Sequence, residues 1–317
     1  MLGFYSPMDL RQLTTFTQVA DLGSLSRAAE RLRIAQPALS RQIRLLEEEL
    51  KVALFARHGR GMELTAAGEL LRARASGILR QVEETRADLM HEAGAVRGRG
   101  AVGMPPTVGD VLASRLVERF LGLHPEVTLR VVTAYSGHLL EWLHGGEVDI
   151  AVVYGTERMA NVTISPLLEE NLHFVAAAGG PAGPVGDAAR FAEVAARRLV
   201  LPGPQHGLRA LVEREARRRD LALNIVVEAD SLQVQKELVR KGLGSTVLPL
   251  ASVHAEVTAG LLRAAPIVAP RLSRRLVVAR PLGRQASSAV RRFGQVLRDE
   301  VAEMVASRVW DGQLLAD

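Results

Sequence analysis

Gln36, Ser40, Arg41 and Arg44 fall on one side of the amphipathic run QPALSRQIRLLEEEL, and together they carry the chemistry of base reading. A glutamine amide can pair with adenine, a serine hydroxyl can serve either base, and arginine suits guanine or a phosphate. Pro37 stands in the first helical turn, where its missing N–H costs nothing, and with Ala38 it leaves the helix end free to point backbone donors at a phosphate. Ser26 and Arg27, at the start of the preceding run, join the same candidate face. Across residues 27–44, Arg27, Arg31, Arg33, Arg41 and Arg44 stand against Glu30 alone, so the local field is cationic. A solvated helical hairpin that is merely basic is the competing reading of these residues.

Two short helices with a tight break must position this face. In the first, Leu25, Ala28, Ala29 and Leu32 recur at helical spacing, and the alanines let a second helix cross closely. In the second, Leu39, Ile43, Leu46 and Leu50 form the expected buried stripe. Runs at 54–57 and 62–65, joined by HGRG, read as a hairpin wing that would carry Arg57, His58 and Arg60 toward the backbone or minor groove. Thr65 then caps a long helix expected to reach about residue 92, with Glu69 favouring its positive end. On it Leu71, Ala75, Ile78, Val82, Thr85 and Leu89 alternate spacings of four and three, a heptad seam suited to the same helix of a second subunit. Packing of that helix on its own chain is the alternative.

The pattern resembles the LysR-type transcriptional regulators over essentially the whole chain. The likeness is carried by FTQVADLGSLSRAAERL, QPALSRQIRLLEEEL, LFARHGRGMELTAAGELL and HPEVTLRVVTAYSGHLLEWLHGGEVDIAVVYG. PPTVG, LPGPQHGLR and LVRKGLGSTVLP are most similar to the subgroup that contains the nitrogen assimilation regulators. The resemblance implies a multidomain α/β protein: a winged helix-turn-helix at 8–65, a dimerisation helix at 66–93, and a two-lobed effector domain similar to periplasmic binding proteins. Lobe 1 would combine 94–168 with 268–307, and lobe 2 would span 169–267. It also implies binding to double-stranded promoter DNA, a homotetramer built as a dimer of dimers, work beside RNA polymerase, and a small-molecule effector. Two positions depart from the usual pattern: Lys51 stands where glycine is common, and Ala35 where a serine or threonine often caps the recognition helix. Met8 begins the usual MDLRQL start, so residues 1–7 read as an extension.

Beyond the VRGRG hinge, apolar runs alternate with helical segments in the manner of an α/β domain. Strands are expected at 100–104, 128–133, 149–154, 172–177, 199–201, 223–228, 244–248 and 275–279. Helices are expected at 108–122, 137–144, 207–219, 231–241 and 286–306. A ligand cleft belongs where strand ends meet helix starts. Thr107 and Val108 offer a hydroxyl and free N–H groups to a carboxylate, although Thr107 suits plain helix capping equally well. Ser136 and Gly137 follow the second strand and Tyr154 ends the third; by family position Gln205, His206 and Gly207 face the same gap, with Asp230 or Arg209 beside them.

Composition narrows the alternatives. The 317 residues are 48% hydrophobic and 24% charged, ordinary values for a globular chain of several domains. No apolar stretch reaches spanning length and the amino end has no export pattern, so a cytoplasmic, nucleoid-associated location is expected. The absence of cysteine excludes disulfides and thiol sensing. Gly98, Gly100 and Gly103 match G-x-G-x-x-G, but they lead into a strand instead of following one, and Pro105 and Pro106 come next. His138 and His144 are too widely spaced to share a helical face as metal ligands. Neither an enzyme nor a cofactor is expected. An effector-responsive regulator, a regulator controlled by abundance alone, and a solute-binding or enzymatic module with a DNA-binding head remain the three readings, in that order.

Overall fold

The computed structural model describes residues 8–58, 61–90, 96–155, 161–179 and 187–316, which form a helical head, a long helix and two α/β lobes. In α1 (Leu10–Leu22) the Asp9 carboxylate accepts from the Gln12 N–H at 2.7 Å, and the Gln12 side chain accepts from the Asp9 N–H at 3.0 Å, which closes the helix start reciprocally. Ser24 caps α2 (Leu25–Leu32), and α3 (Gln36–Leu50) follows a turn in which Arg33 is left-handed. Ala28 and Ala29 are buried against Phe16, Leu39, Ile43 and Leu46, the close crossing that small residues permit. Leu50, expected in the buried stripe, is 36% exposed because α3 ends there and the core beside it is completed by Leu54 and Phe55. Lys51 terminates the helix at φ 55, a left-handed position that costs a side-chain-bearing residue about 1 kcal/mol.

The wing consists of antiparallel β1 (Phe55–His58) and β2 (Gly61–Leu64). Glu47 binds it to α3 by accepting from the N–H groups of Leu54 at 2.7 Å and Phe55 at 3.2 Å. On its other side, Met62 N–H donates to the Gly23 carbonyl at 3.0 Å. Gly61 has φ 143, and a Cβ there would lie 2.7 Å from the Gly23 oxygen, so the approach of wing to α1 requires glycine. Thr65 caps α4 (Ala66–Met90), whose Leu71, Ala75 and Leu79 complete the head's core.

Above the head the chain runs β3 (Gly98–Met104), α5 (Pro106–Leu123), β4 (Val127–Thr133), α6 (Ser136–Gly145), β5 (Ile150–Tyr154) and β6 (Val162–Ala177). Lobe 2 adds β7 (Ala189–Arg190), α7 (Phe191–Ala196), β8 (Arg198–Leu201), α8 (Gly207–Arg217), β9 (Asn224–Glu228), α9 (Leu232–Arg240), β10 (Thr246–Pro249), α10 (His254–Thr258) and β11 (Leu262–Val268). The return to lobe 1 is β12 (Ser273–Pro281), α11 (Ser288–Ala306) and a last strand, β13 (Gly312–Leu314). The main sheet runs β4, β3, β5, β12, β6, β11, β7, with β10 and β13 also paired to β6.

One strand serves both lobes. Leu167 and Leu168 of β6 pack with Val102, Leu112, Phe120 and Phe293, whereas Leu172 and Phe174 pack with Phe191, Val212 and Val247. On the return path the change of core falls between Leu272 and Leu276. The expected strand at 172–177 is therefore only the distal half of β6. Glu169, Glu170 and Asn171 interrupt its apolar pattern because each meets a partner from β12 or from Arg271 beside it. The long helix also docks on lobe 1: a Cβ on Gly146 would lie 2.8 Å from the Gly77 Cα, and Arg80 Nε stands 3.2 Å from the buried Asp149 carboxylate.

Candidate nucleic-acid interface and inter-lobe cleft

On the head, α3 turns Leu39, Ile43 and Leu46 inward, and its opposite face leaves Gln36, Pro37, Ala38, Arg41 and Arg44 exposed, with Ser40 half-buried. No side chain caps its start, and Ala35 offers none, so the N–H groups of Gln36 and Ala38 remain directed outward. Ser26 is exposed and its hydroxyl donates to the Gln36 side chain at 3.3 Å, which steadies that amide. Arg27 folds back to donate to the Leu22 carbonyl, so it braces the end of α1 beside the same surface. The side chain of Arg57, the side chain of Leu89 and residue 60 lie outside the described residues, as do residues 1–7.

The heptad residues separate into two groups. Leu71 is half-buried on the head's core and Ala75 is fully buried in it, so both already pack inside the chain. Ile78 is 40% exposed, Leu70 is more so, and Val82 is half-buried. The seam's first turn is thus shared with the head, which the spacing alone did not distinguish from an intersubunit contact.

Between the lobes, Thr107 and Tyr154 meet hydroxyl to hydroxyl at 2.9 Å, and the Tyr154 N–H donates to Ser136 Oγ at 3.0 Å. Thr107 is not the cap of α5; Pro105 holds that position, and Pro106 has no N–H, which leaves the Thr107 and Val108 N–H groups at the helix end. The Val108 side chain itself is buried in the lobe 1 core. Gly137 is exposed in the first turn of α6, with open space around it. From lobe 2, the His206 ring meets Tyr135 edge-on at 5.1 Å between centroids, and Asp230 lies within hydrogen-bonding reach of the Tyr135 hydroxyl. Asp230 also accepts from the Gly203 N–H at 2.9 Å. Gln205 and Gly207 are exposed on the turn, and Arg209 is engaged within lobe 2 by Glu213, Glu228 and the Pro202 carbonyl.

Sequence reading missed Arg274. Its guanidinium carbon lies 3.8 Å from the centre of the Tyr154 ring, and its Nε pairs with Glu170 at 2.5 Å. The side chain is 8% exposed, and both terminal nitrogens are buried without a hydrogen-bond partner. Burial raises the Tyr154 pKa against the opposing pull of Arg274. Burial, and then the charge of Arg274, lower His206 to about 4, so its imidazole is neutral near pH 7, with Nδ1 accepting from the Leu208 N–H at 3.1 Å. The signal that might have found Arg274 is only its place in the SRR run entering β12, which does not separate it from Arg275.

A winged head with an exposed cationic helix, joined by a long helix to two α/β lobes around a polar cleft, defines a DNA-binding regulator with a ligand-sensing domain. Residues 10–69 match the family described as bacterial regulatory helix-turn-helix protein, lysR family, and residues 93–302 match the LysR substrate binding domain. The chain belongs to the LysR family of transcriptional regulators and is not an enzyme. It is 34% identical to the nitrogen assimilation regulatory protein nac of Klebsiella aerogenes over 76% of this chain and 78% of that one. It is 32% identical to the transcriptional regulator BbuR of Bordetella bronchiseptica over 98% and 94% of the two chains. Among solved structures, full-length OxyR of Pseudomonas aeruginosa has a TM-score of 0.74 at 26% identity, covering 96% of this chain and 98% of that one. CbnR in complex with its target DNA has a TM-score of 0.66 at 25% identity, covering 92% and 100%. Among the described residues no helix is long and apolar enough to cross a membrane.

Proposed function

We propose that the protein reads promoter DNA with α3 in the major groove, two heads per dimer and two dimers per tetramer, under the control of a small anionic effector held between its lobes. The observation that carries the reading is the solvent-exposed set Gln36, Arg41 and Arg44 on a helix whose opposite face is buried. Gln36, Ser40 and Arg41 read base edges. Arg44, Ser26, the N-terminus of α3, and Arg57 and Arg60 of the wing hold phosphates. The solved CbnR–DNA complex supports the same use of a shared fold. Subunits pair along α4 through Ile78, Val82 and Leu89, beyond the turns that the head occupies. To read promoter DNA the protein acts on the nucleoid in the cytoplasm, beside RNA polymerase.

In the cleft, the N–H groups of Thr107 and Val108, together with the unpaired Arg274 nitrogens, suit a carboxylate, while Ser136, Tyr154, His206 and Asp230 bound the ligand. Effector binding changes the angle between lobes and so the spacing and bend of the DNA held by the tetramer. Footprinting across the promoter of its own gene, repeated with a panel of organic acids, tests both parts. A protected site whose extent or bending shifts with one acid is the expected result. No preferred site overturns the reading of the head. A site indifferent to every acid overturns effector control.

A further inference from the structure

The last residues of the described chain cross the hinge. β13 pairs antiparallel with β6, Gly312 opposite Glu170 and Leu314 opposite Leu168, and the Leu315 N–H donates to the Leu167 carbonyl at 3.1 Å. A Cβ on Gly312 would lie 2.6 Å from the Glu169 oxygen, so the strand sits closer than a side-chain-bearing residue allows. Asp311 adds contacts to Asn171 at 2.9 Å and to the buried His173 at 3.2 Å. This strap lies on the stretch of β6 where the lobe 1 core gives way to that of lobe 2.

Trp310, just before the strand, is buried, and its indole N–H donates to Glu170 Oε2 at 2.8 Å. The other oxygen of Glu170 receives Arg274 Nε. The Glu170 carboxylate is fully buried and is held by these two donors, with the Tyr154 hydroxyl also within hydrogen-bonding reach. With Nε taken, Arg274 keeps its two terminal nitrogens unpaired beside the Tyr154 ring, close enough to His206 to lower its pKa. The tail therefore stands behind the one cleft cation whose outer donors are unfilled among the described residues.

We propose that the C-terminal strap is a positioning element of the effector cleft: Trp310 fixes Glu170, and Glu170 fixes the guanidinium of Arg274 that receives a carboxylate group. This rests on the anionic effector proposed above. Trp310 and Glu170 are positioning residues and do not touch the ligand.

Acetate serves as the probe, titrated into the full-length protein against chloride at constant ionic strength and read by saturation transfer to its methyl protons. Trp310→Phe keeps the buried ring and removes the donor; Glu170→Gln removes the charge. Each is expected to weaken acetate binding about tenfold, and the double variant to be no weaker than the worse single one, because both act through Arg274. A merely structural role would lower thermal stability without this shared loss of affinity. Arg274→Gln should abolish binding. The chain has two tryptophans, so a Trp142→Phe background isolates Trp310, whose emission should shift on saturation with acetate. This readout keeps the test decisive if Glu170→Gln does not fold. Parental affinity in Trp310→Phe with binding lost in Arg274→Gln overturns the role of the strap and leaves the anion site standing. Binding absent from the parent, or unchanged in Arg274→Gln, overturns the anion site and the strap's role with it.

Discussion

In the head, Gln36, Arg41 and Arg44 stand in solvent on a helix whose other face is buried, whereas in the cleft Thr107, Tyr154 and Arg274 are enclosed and bound to one another. The difference follows from the partners. Duplex DNA is a large polyanion that meets a preformed surface, and exposed arginines gain from counterion release on contact. A small ligand must be stripped of water and surrounded, and the site proposed for it has a cation held buried by Glu170 and walls drawn from two lobes. A surface can be complete in one subunit domain; an enclosure depends on how the lobes meet.

This contrast can be broken most forcefully at the long helix. Replacing Ile78 and Val82 together with glutamate should dissociate the oligomer while each head stays folded, since the head's own contacts use Leu71 and Ala75. Light scattering that shows an unchanged assembly would place the seam elsewhere. Next in size, Arg41→Ala or Gln36→Ala should weaken binding to the preferred site by about 1 to 3 kcal/mol with the melting temperature nearly unchanged. Equal loss on random DNA would remove base reading from that residue. Gly61→Ala should lower the stability of the head by about 1 to 2 kcal/mol, because the new Cβ meets the Gly23 carbonyl in a disfavoured backbone region. Urea melts read this, and an unaltered midpoint would deny the close approach.

The smallest expected effect separates the cleft from the head by pH. His206 is lowered from 6.5 to about 4 by burial and by Arg274, with Asp230 opposing. Its contribution to folding stability is thus full above about pH 6.5 and declines as pH falls toward 4, where protonation also removes the Nδ1 acceptor of the Leu208 N–H. His173 is displaced in the same direction by burial, so the wild-type curve must be compared with that of His206→Asn, which retains an acceptor and does not titrate. The variant should show a flatter acid limb in lobe stability. Identical limbs would mean that His206 does not set the acid stability of the lobes.

The parts of the molecule differ in how far they could be read without coordinates. The helix pair and the long helix followed from periodicities and end signals only a few residues long, and the missing cap at Ala35 from departure from the family pattern. Thr107, Ser136, Tyr154 and His206 are grouped by strand-to-helix order and family likeness; the structure joins the first three by hydrogen bonds and sets His206 against Tyr135. Leu71 and Ala75 show the limit of periodicity, which identifies an apolar face but not what covers it.

What the sequence determined by itself is the reading head, because a helix repeats every 3.6 residues and its faces are decided within a few turns of chain. The cation of the cleft was decided by tertiary structure alone. Arg274 meets Glu170 across 104 residues and Glu170 meets Trp310 across 140. Which arginine of SRR turns inward depends on the register of β12 against β6, and which donor stands behind Glu170 depends on the final strand reaching the hinge.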